Sequence, residues 1–197
     1  MEPMAIAHML ETRFPYDVLQ VVESRGQVGV VVQRDHIQEI CGWLHDSPDL
    51  MMNHLLDLCG VDYCKKFNAF EVVYHLYSIP LRHMIRIRAR IPEDDCWIDS
   101  VTPVWRGADW HERECFDLVG IFFRGHPDLR RILLPESWQG HPLRKDYPVQ
   151  LAPEMEWEGY TELKERARQL RQFDFHRGDI SQNDQSQMAR CQSKGDR

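Results

Sequence analysis

Two stretches of alternating apolar and polar positions dominate the middle of the chain. Phe70, Val72, Tyr74 and Leu76 alternate with Glu71, Val73, His75 and Tyr77, and Ile85, Ile87, Ala89 and Ile91 alternate with Met84, Arg86, Arg88 and Arg90. Period two puts each set on one face of a strand. Ser78 to Arg82, with Pro80, joins them, so antiparallel pairing is the simple arrangement. The row Arg86, Arg88, Arg90 reads as a recognition stripe or as a solvated sheet face opposite Glu71. Exposed ion pairs contribute little, which favours the solvated face. Upstream, the β-branched runs Tyr16 to Val22 and Val28 to Val32 flank Ser24-Arg25-Gly26 and predict a hairpin. Ile37, Ile40, Cys41 and Leu44 share one helical face, with Asp35 as cap and Asp46-Ser47-Pro48-Asp49 as stop. Asp99-Ser100 opens a predicted short helical stretch with Pro103 in its first turn. Asp109-Trp110-His111-Glu112 has the form of a capping box and predicts a helix ending at Gly120. The order hairpin, helix, strands, helices predicts an α+β core over residues 1–124. It would be a small, mostly antiparallel or mixed sheet with helices on one face.

From Gly125 the pattern changes. Pro127, Pro135, Pro142, Pro148 and Pro153 exclude a helix or a central strand. Yet Ile132, Leu133, Leu134, Trp138, Leu143, Tyr147 and Val149 are too apolar for disorder. An extended proline-rich ribbon over 125–160, lying against its own core or another protein, fits both facts. Thr161 to Phe175 predicts an exposed helix. From Ser181 on almost nothing is buriable, so the 161–197 tail is expected to be partly helical and then disordered, and dispensable after about Gly178.

Composition narrows the function. The chain has 197 residues, 43% hydrophobic and 28% charged, with 24 Lys+Arg against 31 Asp+Glu and a net charge of −7. That is a globular mixture, acidic overall, and it argues against a nucleic-acid module. The mean hydropathy is −0.52, and no apolar run approaches the ~18 residues of a membrane span. The N-terminus lacks the charged and apolar regions of a secretory signal, so a reducing compartment is expected. The six cysteines, Cys41, Cys59, Cys64, Cys96, Cys115 and Cys191, include no C-x-x-C pair and read as free thiols, not cluster ligands. No G-x-G-x-x-G and no H-E-x-x-H is present, since His111-Glu112 is followed by Arg113-Glu114-Cys115. Neither a catalytic nor a metal site is expected.

Two units of similar design occupy the ribbon: Gly125-His126-Pro127-Asp128-Leu129-Arg130-Arg131 and Gly140-His141-Pro142-Leu143-Arg144-Lys145-Asp146. Each sets a basic pair on a stiff backbone, which suits a clamp on acidic or polar groups. On the preceding helix Arg113 and Asp117 are spaced i,i+4 and predict an ion pair. With Glu112 and Glu114 they put four charges on one short helix, so at least one should be partly buried.

The run Trp105 to Val149 resembles the hallmark of the C subunit of NADH:quinone oxidoreductase, respiratory complex I. The resemblance rests on Glu112-Arg113-Glu114, Asp117-Leu118-Val119, His126, Arg130 and Ile132, then Gly140 to Pro148, with Leu56 to Tyr63 as a weaker match. It implies a non-redox structural subunit of the peripheral arm, on the cytoplasmic face of the inner membrane and reaching the membrane only through partners. It implies contacts with the D subunit, which carries the quinone site, with the B subunit and with the NADH-side subunits. FMN, iron–sulfur clusters, NADH and quinone would belong to the complex and no cofactor to this chain. The expected partner interface comprises His126, Arg130, Arg131, Ile132, Leu134, His141, Arg144, Lys145 and Tyr147. Glu112, Arg113, Glu114 and Asp117 form the expected structural signature. Alanine at Arg130, Arg131 and Arg144 together is expected to leave the domain folded and release it from its partners. A homologous subunit of a membrane-bound hydrogenase or another complex I-like enzyme is the alternative; the Arg-Lys-Asp-Tyr-Pro ending favours the respiratory form.

Overall fold

The computed structural model describes residues 1–63, 68–148 and 159–172, with side chains described to Gln169 in the last stretch. The chain divides into two compact units, Met1–Val149 and Gln150–Arg197. The ribbon up to Pro148 therefore belongs with the α+β core.

The first unit is built on a five-stranded sheet. Strands β1 (Val18–Ser24) and β2 (Gln27–Gln33) form the predicted hairpin. Its turn, Arg25-Gly26, has φ of 53° and 75°, the left-handed pair that matches the twist of the strands. Helix α1 (Pro3–Arg13) precedes them and α2 (Ile37–Asp46) follows. Then β3 (His54–Asp62), β4 (Ala69–Ser78) and β5 (His83–Pro92) run as an antiparallel meander. The meander brings β5 back beside β2 in parallel, giving the order β1-β2-β5-β4-β3. Ile85, Ile87, Ala89 and Ile91 of β5 point to one face, as their alternation predicts. They join Val30 and Val32 of β2, Val72 and Tyr74 of β4, Ile6, Ala7 and Leu10 of α1, and Ile37, Ile40, Cys41 and Leu44 of α2 in a single core. All the helices that contribute to this core thus cover the same face.

The opposite face is knitted together by ions. Glu71 is only 2% exposed and accepts from Arg88 Nε at 2.6 Å, with Arg90 Nε 3.9 Å away. The arginine row is therefore partly occupied by a buried carboxylate, not merely solvated.

Several local expectations fail for local reasons. Strand β6 (Trp97–Asp99) occupies the start of the stretch read as helical, and Val104 and Trp105 N–H both donate to the Val101 carbonyl at 3.0 Å, closing a turn around Pro103. Asp35 lies inside a 3-10 turn, Arg34–His36, and α2 starts after His36 without a side-chain cap. Helix α3 (Ala108–Val119) has Gly107 at its N-cap, so Asp109 sits in the first turn, where it faces the positive end of the helix dipole without capping. Helix α1 and strand β3 have no counterpart among the elements the pattern predicts. In β3 a bulge between Leu55 and Asp57 breaks the alternation. Strand β7 (Phe122–Arg124) pairs with β6 in parallel and leads into the ribbon.

In the second unit, α4 (Gly159–Gln172) has every described side chain from Thr161 to Gln169 exposed, with Arg166 paired to Glu162 one turn back at 2.7 Å. The expected disorder from Ser181 on lies outside the described residues.

Candidate functional site

Helix α3 and the ribbon are joined through one carboxylate. Asp117 is fully buried. Its Oδ2 accepts from three consecutive backbone N–H groups, Ile132 at 3.0 Å, Leu133 at 2.7 Å and Leu134 at 2.8 Å. Its Oδ1 accepts from Arg131 Nη1 at 2.7 Å. The second Arg131 nitrogen, Nη2, donates to the carbonyls of Trp138 at 3.0 Å and Gly140 at 3.2 Å, drawing the next loop of ribbon into the same knot. Burial by itself would raise the Asp117 carboxyl. The Leu134 N–H, the Arg131 guanidinium and the Leu133 and Ile132 N–H groups outweigh it and hold the carboxyl below its ordinary range.

The neighbouring charges serve the same junction. Arg113 does not pair with Asp117 as the i,i+4 spacing predicts. It donates instead to the carbonyls of Arg130 at 3.2 Å and Arg131 at 3.1 Å and lies 5.3 Å from the Trp110 ring centre. The carboxylate takes the convergent amides, and the guanidinium takes the carbonyls they leave behind. Glu112 faces the other way. It is fully buried and accepts from Ser100 Oγ and Val101 N–H, both at 2.7 Å, tying α3 to the loop after β6. Burial pushes its carboxyl up to about 7, with the Ser100 and Val101 hydrogen bonds offsetting part of the rise and Asp109 adding to it. Both oxygens are engaged within the chain and neither reaches solvent. Glu114 is the exposed member of the four.

The C-terminal end of α3 forms the second half of the clasp. Gly120 adopts φ 79° as its C-cap. Arg144 Nε donates to the Val119 carbonyl at 2.7 Å and Nη2 to that of Gly120 at 3.1 Å, placing a cation on the negative end of the helix. His141 Nδ1 donates to the Asp117 carbonyl at 2.9 Å, and Leu143 N–H to the Leu118 carbonyl at 2.9 Å. The Lys145 N–H reaches Asp62 Oδ2 of β3 at 2.7 Å. At the start of the ribbon, His126 Nε2 donates to the Asp109 carbonyl at 3.2 Å while its Nδ1 accepts from the Asp128 N–H at 3.0 Å. These two bonds put the ring hydrogen on Nε2.

The proposed interface residues thus divide. Arg131, His126, His141 and Arg144 use their polar groups within the chain, Ile132 and Leu134 are half-buried, and Tyr147 donates to the Gln139 carbonyl at 3.1 Å. Arg130 and Lys145 remain exposed, with Arg130 paired to Asp128 at 2.9 Å. Trp110 of α3 and Leu133 of the ribbon are each 62% exposed, and Leu143 of the ribbon is 56% exposed. Of the three arginines in the expected alanine replacement, Arg131 and Arg144 hold the ribbon on α3, so that variant would disturb the ribbon's seat as well as any partner contact. Sequence reasoning missed Ser100 and the second role of Gly120. Neither carries a motif, and their partners lie 12 to 24 residues away.

Beside the clasp, β3 and α3 line a cleft of about 210 Å³ that includes Asp57, Cys59, Glu114, Cys115, Leu118 and Leu143. Burial pushes both thiols up, which disfavours their thiolate forms. Among the described residues no three His, Cys, Asp or Glu side chains gather as a metal site, and no helix is long and apolar enough to cross a membrane.

A chain that carries its charges inward to shape one extended ribbon has many relatives. The chain belongs to the family of the respiratory-chain NADH dehydrogenase 30 Kd subunit, whose sequence profile matches residues 30–152. The C subunit of NADH-quinone oxidoreductase from Geobacter metallireducens is 51% identical over 142 residues, 72% of this chain and 86% of the relative. The same subunit of Geobacter sulfurreducens is 49% identical over 142 residues, again 72% of this chain and 86% of the relative. Among solved structures, the trypsin-resistant fragment (1–134) of Nqo5 superimposes with a TM-score of 0.56 at 29% identity, covering 66% of this chain and all of the fragment. A chain of an archaeal membrane-bound sulfane sulfur reductase shares the fold, with a TM-score of 0.62 at 21% identity over 84% of this chain and 92% of that one. The resemblance read from Trp105 to Val149 is therefore a family relationship.

Proposed function

We propose that this chain is a non-redox structural subunit of the proton-pumping NADH:quinone oxidoreductase and braces the peripheral arm beside the D subunit, the one with the quinone site. The observation that carries the reading is the division of the ribbon. Its buried polar groups fix its shape on α3, while Leu133, Leu143, Arg130 and Lys145 of the ribbon and Trp110 of α3 are exposed. Large apolar and basic side chains on a rigid support are the anchors of a protein interface. The absence of any cysteine spacing suited to a cluster supports a role without electron transfer. FMN, the iron–sulfur clusters, NADH and quinone are assigned to other subunits. The B subunit and the NADH-side subunits are the further neighbours, and the membrane, on its cytoplasmic face, is reached through them. Identity near 50% to subunits of NADH-quinone oxidoreductases favours this complex over a hydrogenase-type relative.

The test replaces exposed residues only. Trp110→Ala, Leu133→Asp and Leu143→Asp together should leave the isolated chain's circular dichroism unchanged. Losing anchors of this kind typically costs about 2–4 kcal/mol of binding, roughly 30- to 1,000-fold in affinity. The chain should then fall out of the complex, and NADH-to-quinone activity should drop while NADH-to-ferricyanide activity survives. Normal assembly of the triple variant would refute the docking surface.

A further inference from the structure

The ribbon segment at 131–134 holds its carboxylate in an unusual way. Three successive backbone N–H groups converge on a single oxygen, and the guanidinium of the residue just before them takes the other. Successive amides turned to one point form a concave nest that suits anions. Apolar burial holds the segment only in part, since Ile132 and Leu134 are half-buried while Leu133 at its centre is 62% exposed and Pro135 after it is exposed. The nest is also supported from the ribbon side. Arg131 is held by the Trp138 and Gly140 carbonyls, bonds that do not involve Asp117. Near this junction Arg113 donates to the carbonyls of Arg130 and Arg131 and lies over the Trp110 ring, while His141 donates to the Asp117 carbonyl and meets the Phe116 ring edge-on, so neither is bonded to the Asp117 carboxylate.

We propose that the backbone of residues 131–134 with the Arg131 guanidinium is an oxyanion receptor, and that the Asp117 carboxylate is the resident ligand that latches the ribbon onto α3. The receptor takes a carboxylate or a similarly small oxyanion. Seating Asp117 closes the strap and sets the attitude of Leu133 and Arg130 on its outer side. As preparation for a partner, the latch rests on the docking reading above. The two fail separately, because the latch is read on the isolated full chain and docking is read in the assembled complex.

The experiment is chemical rescue. In the full chain carrying Asp117→Ala, amide hydrogen exchange at Ile132, Leu133 and Leu134 should accelerate roughly tenfold or more, while the exchange of β4 and β5 stays slow. Sodium formate should restore protection with a saturating dose dependence. Sodium chloride at equal ionic strength should not. A folded variant whose ribbon protection is unchanged, or whose lost protection formate cannot restore, overturns the proposal. If the variant fails to fold, the wild-type chain decides. Its Ile132, Leu133 and Leu134 amide proton shifts should move together with the Asp117 carboxyl carbon as that group titrates. Amides that ignore this titration overturn the latch.

Discussion

Glu112 and Asp117 lie five positions apart on α3 and respond to pH in opposite senses. Glu112 has a folded value of about 7 against an ordinary 4.5, so between these limits the folded chain holds more protons than the unfolded one. Its contribution is complete below the unfolded value and is lost as pH rises through the folded one, a decline on the order of 3 kcal/mol. Asp117 is held below its ordinary value, so its contribution is present above that value and lost only as pH falls through the lowered one. In urea unfolding from about pH 5 to about pH 8, the wild type should lose stability relative to Glu112→Gln. The glutamine oxygen can still accept the Val101 N–H and its nitrogen can donate to Ser100. Parallel curves for the two proteins would show that Glu112 is not perturbed. Gly120 is the other residue under sharp constraint. A Cβ there would collide with the His141 ring and lie 2.6 Å from Arg144 Nη2, at a φ of 79° that already disfavours side chains. Gly120→Ala should therefore cost more than the roughly 1 kcal/mol of left-handed strain alone, measured as a shift in the denaturation midpoint.

Helix α3 is the element on which the molecule turns. Its inward Cys115 and Val119 reach the core, Glu112 ties it to the β6 loop, and Asp117, Val119 and Gly120 hold the ribbon. Its stop was legible from Gly120, because a stop glycine acts locally, while the capping-box reading put its start at Asp109, two positions after the N-cap Gly107. Its partners were not legible, because Asp117 and Leu134 are 17 residues apart and no spacing rule relates a helix to a loop. Trypsin can examine this clasp directly. Arg131 and Arg144 are engaged on carbonyls and a carboxylate, whereas Lys164, Arg166 and Arg168 lie on a helix exposed all round. Limited digestion of the full chain should cut among those three well before the bond after Arg131, as read by mass spectrometry. Early cleavage after Arg131 would mean that the ribbon opens freely.

At the scale of the molecule, the sheet order explains why the ribbon is available. The meander closes β5 onto β2 and leaves β3 at the edge, where α3 packs and the ribbon reaches Asp62. The ribbon thus runs along the rim of the fold, held on one side and open on the other. The purified chain should be colourless, since its six cysteines lack the spacing of cluster ligands and no phosphate-binding glycine loop is present. A visible band that survives chelation and gel filtration at one chromophore per chain would contradict this.

The sequence by itself determined the strands β4 and β5, the β1–β2 hairpin, the buried face of α2, the stop of α3 and the irregularity of the ribbon. Each follows from periodicity or from a glycine or proline acting over a few residues. Motifs within Trp105 to Val149 also carried the family. Tertiary structure alone decided the parallel β2–β5 pairing, because neither strand's pattern records which neighbour it will meet. It also reassigned the charges. Arg113 and Asp117 are spaced to pair, yet three convergent amides and Arg131 offer the buried carboxylate more than one guanidinium could, and Arg113 turns to the vacated carbonyls. A buried charge takes the set of partners that best replaces water, and only the folded chain brings that set together.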